Sequence, residues 1–455
     1  MKIKRISIAI IMAAISSIAF AQEGEIPKQL DIPSTFNPVG SGARAMGLGG
    51  SFIAMADDAT AASWNPSALV QLRKPEVAVV YSQTALTEKN KFSVFPEANG
   101  DESIDNGDLN YLAFSVPCSA ETCGKNMVFS VNYQRLYDLS RSWDFSYSDA
   151  GSFITTDKDY TMRQEGALYA IGFAYALQVS DTLSLGATIN VWKDGFSNNT
   201  WSQNQTDITD ADLLGSSTLI TTNYYNDYEF SGQNFNLGLL WTAYQKNEYK
   251  LTLGLVYKSE FDADIKYKFK GDTELTSEAL PDNNTNQDFA FATTSELTMP
   301  SSFGIGLAFQ WSDNLTTSLD VYRTNWSDFS LVETAEDGSK SPAVFPLNSK
   351  SDQNVLDTTQ IRIGVEYRII SQGVNSNYII PIRAGIFKDP APSIDTTDNI
   401  YGLSLGSGIS FEEWVFDIAW QYRFGNDLGS SYIPELGFSQ DIEEHQVFGS
   451  VFYRF

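Results

Sequence analysis

The chain has 455 residues, of which 42% are hydrophobic and 13% aromatic, and Lys+Arg 30 against Asp+Glu 56 leave a formal net charge of -26. So much apolar and aromatic content excludes a disordered chain, and the acid excess excludes nucleic acid as a partner, since phosphate binding draws on clustered Lys and Arg. One histidine (His445) and two cysteines leave too little for a zinc site or a His-dependent triad, so neither an enzyme nor a cofactor is expected.

In chain order, Lys2, Lys4 and Arg5 precede a mostly apolar stretch at residues 6–18, and Ala19-Phe20-Ala21 has the A-x-A form of a cleavage site. Residues 1–21 read as a secretory signal peptide cut before Gln22. No later apolar run reaches about 18 residues, so no transmembrane helix is expected beyond it. Residues 22–74 do not alternate. They are rich in small residues, with Gly47, Gly49 and Gly50 closing a Gly-punctuated run, and are helix-prone at 57–63, where Asp57 or Asp58 could cap. No Lys-Ser/Thr follows the glycines, which excludes a phosphate loop. Compact small-residue packing ahead of the first strand suits a plug inside a barrel.

From residue 75 to the end the pattern has period two. Leu183, Leu185, Ala187, Ile189 and Val191 alternate with Ser184, Gly186, Thr188 and Asn190, and the same holds from Ile361 to Ile369 and from Phe416 to Phe424. Such alternation predicts strands with one apolar and one polar face. About fourteen strands are expected, starting near Pro75, Leu109, Asn126, Glu165, Thr182, Tyr228, Glu248, Asp288, Asn314, Asp357, Asn377, Asp398, Trp414 and His445. Short turns at 180–181, 246–247, 312–313 and 412–413 alternate with polar loops at 84–108, 138–163, 194–226, 271–287, 328–356 and 425–444. The even count and one-sided long loops predict a transmembrane antiparallel β-barrel, residues 75–455.

Tyr257, Trp241, Trp326, Trp420, Tyr422 and Tyr453 suit aromatic girdles, and His445 an interfacial position. Pro300 predicts a kink or bulge in the eighth strand. The fourth strand faces inward with Leu168, Ala170, Gly172, Ala174 and Ala176, small residues that leave room for a plug or a ligand. Inward charges Arg362, Glu366, Arg368, Arg383, Asp320, Asp417 and Arg423 read as an ion-pair network anchoring the plug; alternatively one Arg, Arg383 foremost, meets a ligand carboxylate. Cys118 and Cys123 flank a turn and, in an oxidising compartment, are expected to form a disulfide. The C-terminal strand ending in Phe455 resembles the signal read by the barrel-assembly machinery.

The run Gly40-Ser41-Gly42-Ala43-Arg44-Ala45-Met46-Gly47, the pair Asp57-Asp58 and Asn65-Pro66 before Leu69 resemble the FadL/TodX outer-membrane transporters of long-chain fatty acids and other hydrophobic compounds. Further blocks are Leu297-Thr298-Met299-Pro300 with Tyr322, Trp326 and Ser327, and Arg383-Ala384-Gly385 leading to Asp389-Pro390-Ala391-Pro392. Ser67 departs from the family's common Asn-Pro-Ala. The resemblance implies a monomer in a bacterial outer membrane, its lumen closed by an N-terminal hatch that includes Asn65 and Pro66. Ligand, a long-chain fatty acid or hydrocarbon, would shift the hatch and leave sideways into membrane lipid. A small-solute porin and a partner or shuttle in protein secretion are the alternative functions.

Overall fold

The computed structural model describes residues 40–455 apart from segments 152–153, 194–198, 214–215, 279–283, 335–339, 343–354, 373–376, 393–397 and 431–433. The expected signal peptide lies outside the described residues. After helices α1 (Ala43–Gly47) and α2 (Ala61–Trp64) and a 3-10 turn at Pro66–Gln71, the described chain is almost entirely strand. The first strands are β1 (Glu76–Phe92), β2 (Gly100–Cys118), β3 (Met127–Asp138), β4 (Arg141–Ala150), β5 (Ile154–Gln178), β6 (Leu183–Trp192) and β7 (Thr200–Leu213). Next come β8 (Ser217–Lys246), β9 (Tyr249–Lys258), β10 (Phe261–Ser277), β11 (Thr285–Met299), β12 (Ser302–Gln310), β13 (Leu315–Thr324), β14 (Ser330–Thr334) and β15 (Lys340–Pro342). The last are β16 (Thr358–Gln372), β17 (Asn377–Lys388), β18 (Tyr401–Phe411), β19 (Trp414–Leu428) and β20 (Phe438–Arg454).

Antiparallel ladders join β1, β2, β3, β5, β6, β8, β9, β12, β13, β16, β17, β18, β19 and β20 in that order. The ring closes where β20 pairs with β1 from Glu76↔Arg454 to Phe92↔Phe438. This is the expected fourteen-stranded barrel, in which closure pairs the first strand with the last. The remaining segments continue ring strands beyond local breaks. β4 follows β3 across Leu139-Ser140, β7 follows β6, β10 follows β9 across Ser259-Glu260, β14 follows β13, and β11 precedes β12 across Pro300-Ser301. Pro300 has no N–H to give a ladder, which is why the break falls there.

Alternation sets the two faces. Ile305, Ile386 and Ile418 are each 58–59% exposed on the outer face, with Phe129, Leu185, Leu237, Ile363 and Leu405 around them. So continuous an apolar belt fits lipid, not water. Trp241, Trp414 and Tyr453 lie on the same face, and His445 stacks there on Tyr422 and Trp420. Inward positions carry Gly, Ala, Ser and the buried charges Arg362, Glu366, Arg383, Asp320, Asp417 and Arg423.

Two expectations need correction. The polar stretches read as long loops are largely strand: β1 and β2 pair out to Asn90↔Gly100, and β7 with β8 fills much of 194–226. Above the lipid both faces of a strand meet water, so the alternation signal fades while the ladder continues. Trp326 is not a girdle residue. It is 2% exposed in a 3-10 turn, Trp326–Asp328, which breaks the parity of β13 and swings the indole inward.

The short turns fall as expected, with Asn247 (φ 54) and Glu412 (φ 50) supplying left-handed residues at two of them. At the same end, Cys118 and Cys123 are disulfide-linked across the turn that holds α3 (Ala120–Cys123).

Candidate functional site

Residues 40–74 satisfy their backbone with side chains from many strands. Ser450 Oγ accepts from Ala43 N (2.7 Å), Asp320 Oδ2 accepts from both Phe52 N (2.7 Å) and Ile53 N (2.9 Å), and Arg362 Nη1 donates to Gly49 O (3.0 Å). Gln421, Ser404 and Thr188 donate to the carbonyls of Met46, Gly47 and Ala62. So short a segment cannot pair all its own N–H and C=O groups, and the wall supplies the partners that burial demands.

Asn65 is at the centre of this docking. Its Nδ2 donates to Ile53 O (3.0 Å) and to Leu239 O on β8 (3.1 Å), while Oδ1 accepts from Ser67 N and Ser67 Oγ. Pro66 follows at the first position of the 3-10 turn, where its fixed φ fits. Gly47 lies against Gly406, and Gly49 and Gly50 adopt φ 67 and 74 beside Gly385 and Arg362. Asp58 accepts from the Thr60 N–H and hydroxyl, and burial pushes its carboxyl above the ordinary range although Arg44 pulls it down. Asp57 pairs with Arg44.

Two buried ionic chains run from this segment into the wall. In the first, Glu366 bridges Arg44 (3.0 Å) and Arg383 (2.7 Å), and Arg383 Nη1 reaches Asp417 at 2.5 Å. A cavity of about 350 Å³ adjoins it, lined by Arg44, Asp58, Arg383, Asp417 and Arg454 among others. In the second, Asp389 accepts from Arg362 (3.1 Å) and Arg423 (3.0 Å), and Arg423 reaches Glu444 (3.3 Å). Arg383 Nε and Nη1 are thus held by the protein's own carboxylates. Of the small inward residues, Ala174 joins the apolar cluster that includes Leu69 and Val70, and Gly172 leaves space taken by Asn132.

On the other side of the segment is an interior pocket. Trp192, Phe261, Met299, Pro300 and Trp326 line part of it, and Gln134, Asn190, Asn236, Lys258, Ser302 and Tyr322 another part. The strand breaks of β6, β9, β12 and β13 meet at this level and re-aim side chains inward, as bulges do. From the pocket an aromatic face climbs the extended strands: Trp201 stacks on Tyr228 (4.6 Å), Tyr228 on Tyr267 (4.9 Å), and Phe269 packs on Phe291 (4.9 Å), which is half exposed.

Beside the pocket the wall loosens. The β2–β3 ladder runs only from Cys118↔Met127 to Tyr111↔Gln134. Beyond it β4 pairs with β5 alone, and among the described residues no ladder joins β4 to β2. Side chains cross instead: Asn106 Nδ2 donates to Asp138 (3.0 Å) and Ser140 Oγ (3.2 Å), Arg135 pairs with Asp108 (3.6 Å), and Tyr169 donates to Asp108 (2.6 Å).

With this geometry in hand, the comparison with known families is decisive: the model described as outer membrane protein transport protein (OMPP1/FadL/TodX) matches residues 35–428. The chain belongs to the FadL/TodX family. Among solved structures, the toluene transporter TodX of P. putida matches with TM-score 0.58 at 13% identity, covering 92% of this chain and 99% of that one. A FadL homologue of Pseudomonas aeruginosa matches with TM-score 0.56 at 15% identity and the monoaromatic hydrocarbon channel CymD with 0.51 at 17%, each over 92% of this chain and 99% of the other. At such identities the likeness is one of fold. No curated protein matches the chain. As a FadL/TodX member, the protein is an outer-membrane barrel that transports hydrophobic compounds and is not an enzyme.

Within this FadL/TodX barrel, charges expected to face inward do so, whereas Lys258, Trp192 and the side chains that cross from β2 toward β3 and β5 were missed by sequence reasoning. Lys258 and Trp192 each end a strand beside a break, where alternation stops assigning a face. Asn106 and Asp138 lie in stretches whose polarity matched loops.

Proposed function

We propose that the protein takes up amphipathic or hydrophobic small molecules from outside the cell and releases them sideways into the outer membrane, with residues 22–74 acting as a hatch. A signal peptide at residues 1–21 exports it. The observation that carries this reading is the position of the interior pocket. It lies between the aromatic face that rises outward, the docked N-terminal segment and the missing β2–β4 ladder, with Gln134, Leu136 and Tyr137 of β3 in its lining.

An apolar solute moving along that course stays out of water from rim to lipid, which a water-filled pore cannot offer. Asn65 and Pro66 tie the hatch to β8, and the two ionic chains through Arg362 and Arg383 hold it to the C-terminal strands. The cargo, a single barrel as the working unit, and assembly into the membrane by the barrel-assembly machinery belong to the same proposal.

The test is uptake of labelled long-chain fatty acid and labelled toluene by cells lacking their own transporter. They express the wild-type chain or an Asn65→Ala/Pro66→Ala version at matched surface level. Uptake by the wild type above vector-only cells, reduced in the double variant, is the expected result. A folded, surface-located wild type that takes up neither compound would refute it.

A further inference from the structure

We infer that Glu88 is a positioning residue for transport: it clamps the β4–β5 hairpin beside the wall that lacks a β2–β4 ladder and so limits the width of cargo that leaves there. This rests on the sideways exit proposed above. Among the described residues β4 has a ladder on one edge, to β5, from Arg141↔Gln164 to Ala150↔Thr155. Side chains that reach past β2 to β1 hold its other side. Glu88 of β1 is 1% exposed; it accepts from Trp143 Nε1 (3.0 Å) and pairs with Arg141 Nη2 (3.2 Å), both on β4. The β1–β2 register sets Glu102 beside Glu88, so these bonds pass over β2 at a level where its ladder to β3 has already ended.

Aromatic contacts surround the same junction. Phe145 packs on Phe92 of β1 (4.7 Å between centroids), Trp143 on Phe438 of β20 (5.4 Å) and Tyr147 on Phe95 (4.6 Å). A ladder gains a bond with each residue along it, whereas this seam rests on a few side chains and parts without unzipping a sheet. The rings can exchange contacts with one another for contacts with an apolar cargo at little cost. The Glu88 bonds cannot be exchanged in that way: a buried ion pair that loses a partner leaves an uncompensated charge. They therefore decide how firmly the seam closes.

The test places spin labels at Ser103→Cys and Ser146→Cys, exposed positions on β2 and β4, in the full-length protein in lipid nanodiscs. Cys118 and Cys123 are held in their disulfide and take no label. With Glu88 intact, one narrow distance is expected. Glu88→Gln keeps the shape and removes the charge, and the population at longer distance should rise about tenfold, the size of one charge-assisted hydrogen bond. Trp143→Phe removes the indole N–H and should give a smaller rise; it carries the test should Glu88→Gln fail to fold. In cells at matched surface level, uptake of a bulky pyrene-labelled fatty acid relative to hexadecanoate should rise in both variants. A loss of structure alone would lower both uptakes by the same factor.

An unchanged narrow distance in both variants, or an equal fall in the two uptakes, overturns the clamp and leaves the sideways exit standing. A seam that opens while the uptake ratio stays fixed overturns both, because cargo then leaves elsewhere.

Discussion

Gly238 shows how closely wall and N-terminal segment meet: a Cβ there would lie 2.1 Å from Asn65 Oδ1, and one at Gly186 would lie 2.3 Å from Ser67 N. That inward residues are small was legible from alternation, because parity assigns the face. Which of them touch the segment was not, since that depends on a contact between residues more than a hundred positions apart. Gly238→Val should therefore undock the segment with an overpacking penalty of about 1–3 kcal/mol, seen as protease cleavage within residues 40–74 while the barrel keeps its heat-modifiable gel mobility. Gly449, with nothing within 4 Å of its Cβ position, should accept Ala without change. Asp389 was visible only as part of a family-like block, not as a bridge. Removing it leaves Arg362 and Arg423 buried with a partner lost, so Asp389→Ala should destabilise the protein by about 3–5 kcal/mol in urea unfolding from lipid vesicles. A change below about 0.5 kcal/mol, as for an exposed pair, would contradict the bridging role.

At the scale of elements, what the sequence made legible was the part of each strand that faces lipid. There one face must be apolar, and starts such as Asn377 and Trp414 coincide with the observed bounds. Outside the lipid the constraint vanishes, so the strands run on unannounced: β5 begins at Ile154 and β8 at Ser217, well before the expected Glu165 and Tyr228. Breaks were legible only where Pro300 marks one. The break after Asp138 has no such marker, yet it is the one beside the missing β2–β4 ladder. If cargo leaves there, stapling the two strands should stop it. With Asn106→Cys and Ser140→Cys joined by oxidation or a short bismaleimide, uptake should fall and, for the disulfide, return on reduction. Unchanged uptake through a fully stapled wall would move the exit elsewhere.

For the whole molecule, composition and alternation together specify a closed barrel, because lipid leaves no alternative for so many strands without long apolar helices. The net charge of -26 says little about cargo. Function arises where the regular pattern stops: breaks on neighbouring strands at one height make the pocket, and a segment that does not alternate packs beneath it. The most direct test of the account is to locate the cargo. A structure of the protein in nanodiscs equilibrated with an ω-brominated long-chain fatty acid would show bromine by anomalous scattering or difference density. The account predicts bromine inside the interior pocket that Trp192, Phe261 and Trp326 help to line. Bromine found solely along the outer apolar belt, with the pocket empty at saturating ligand, would contradict it.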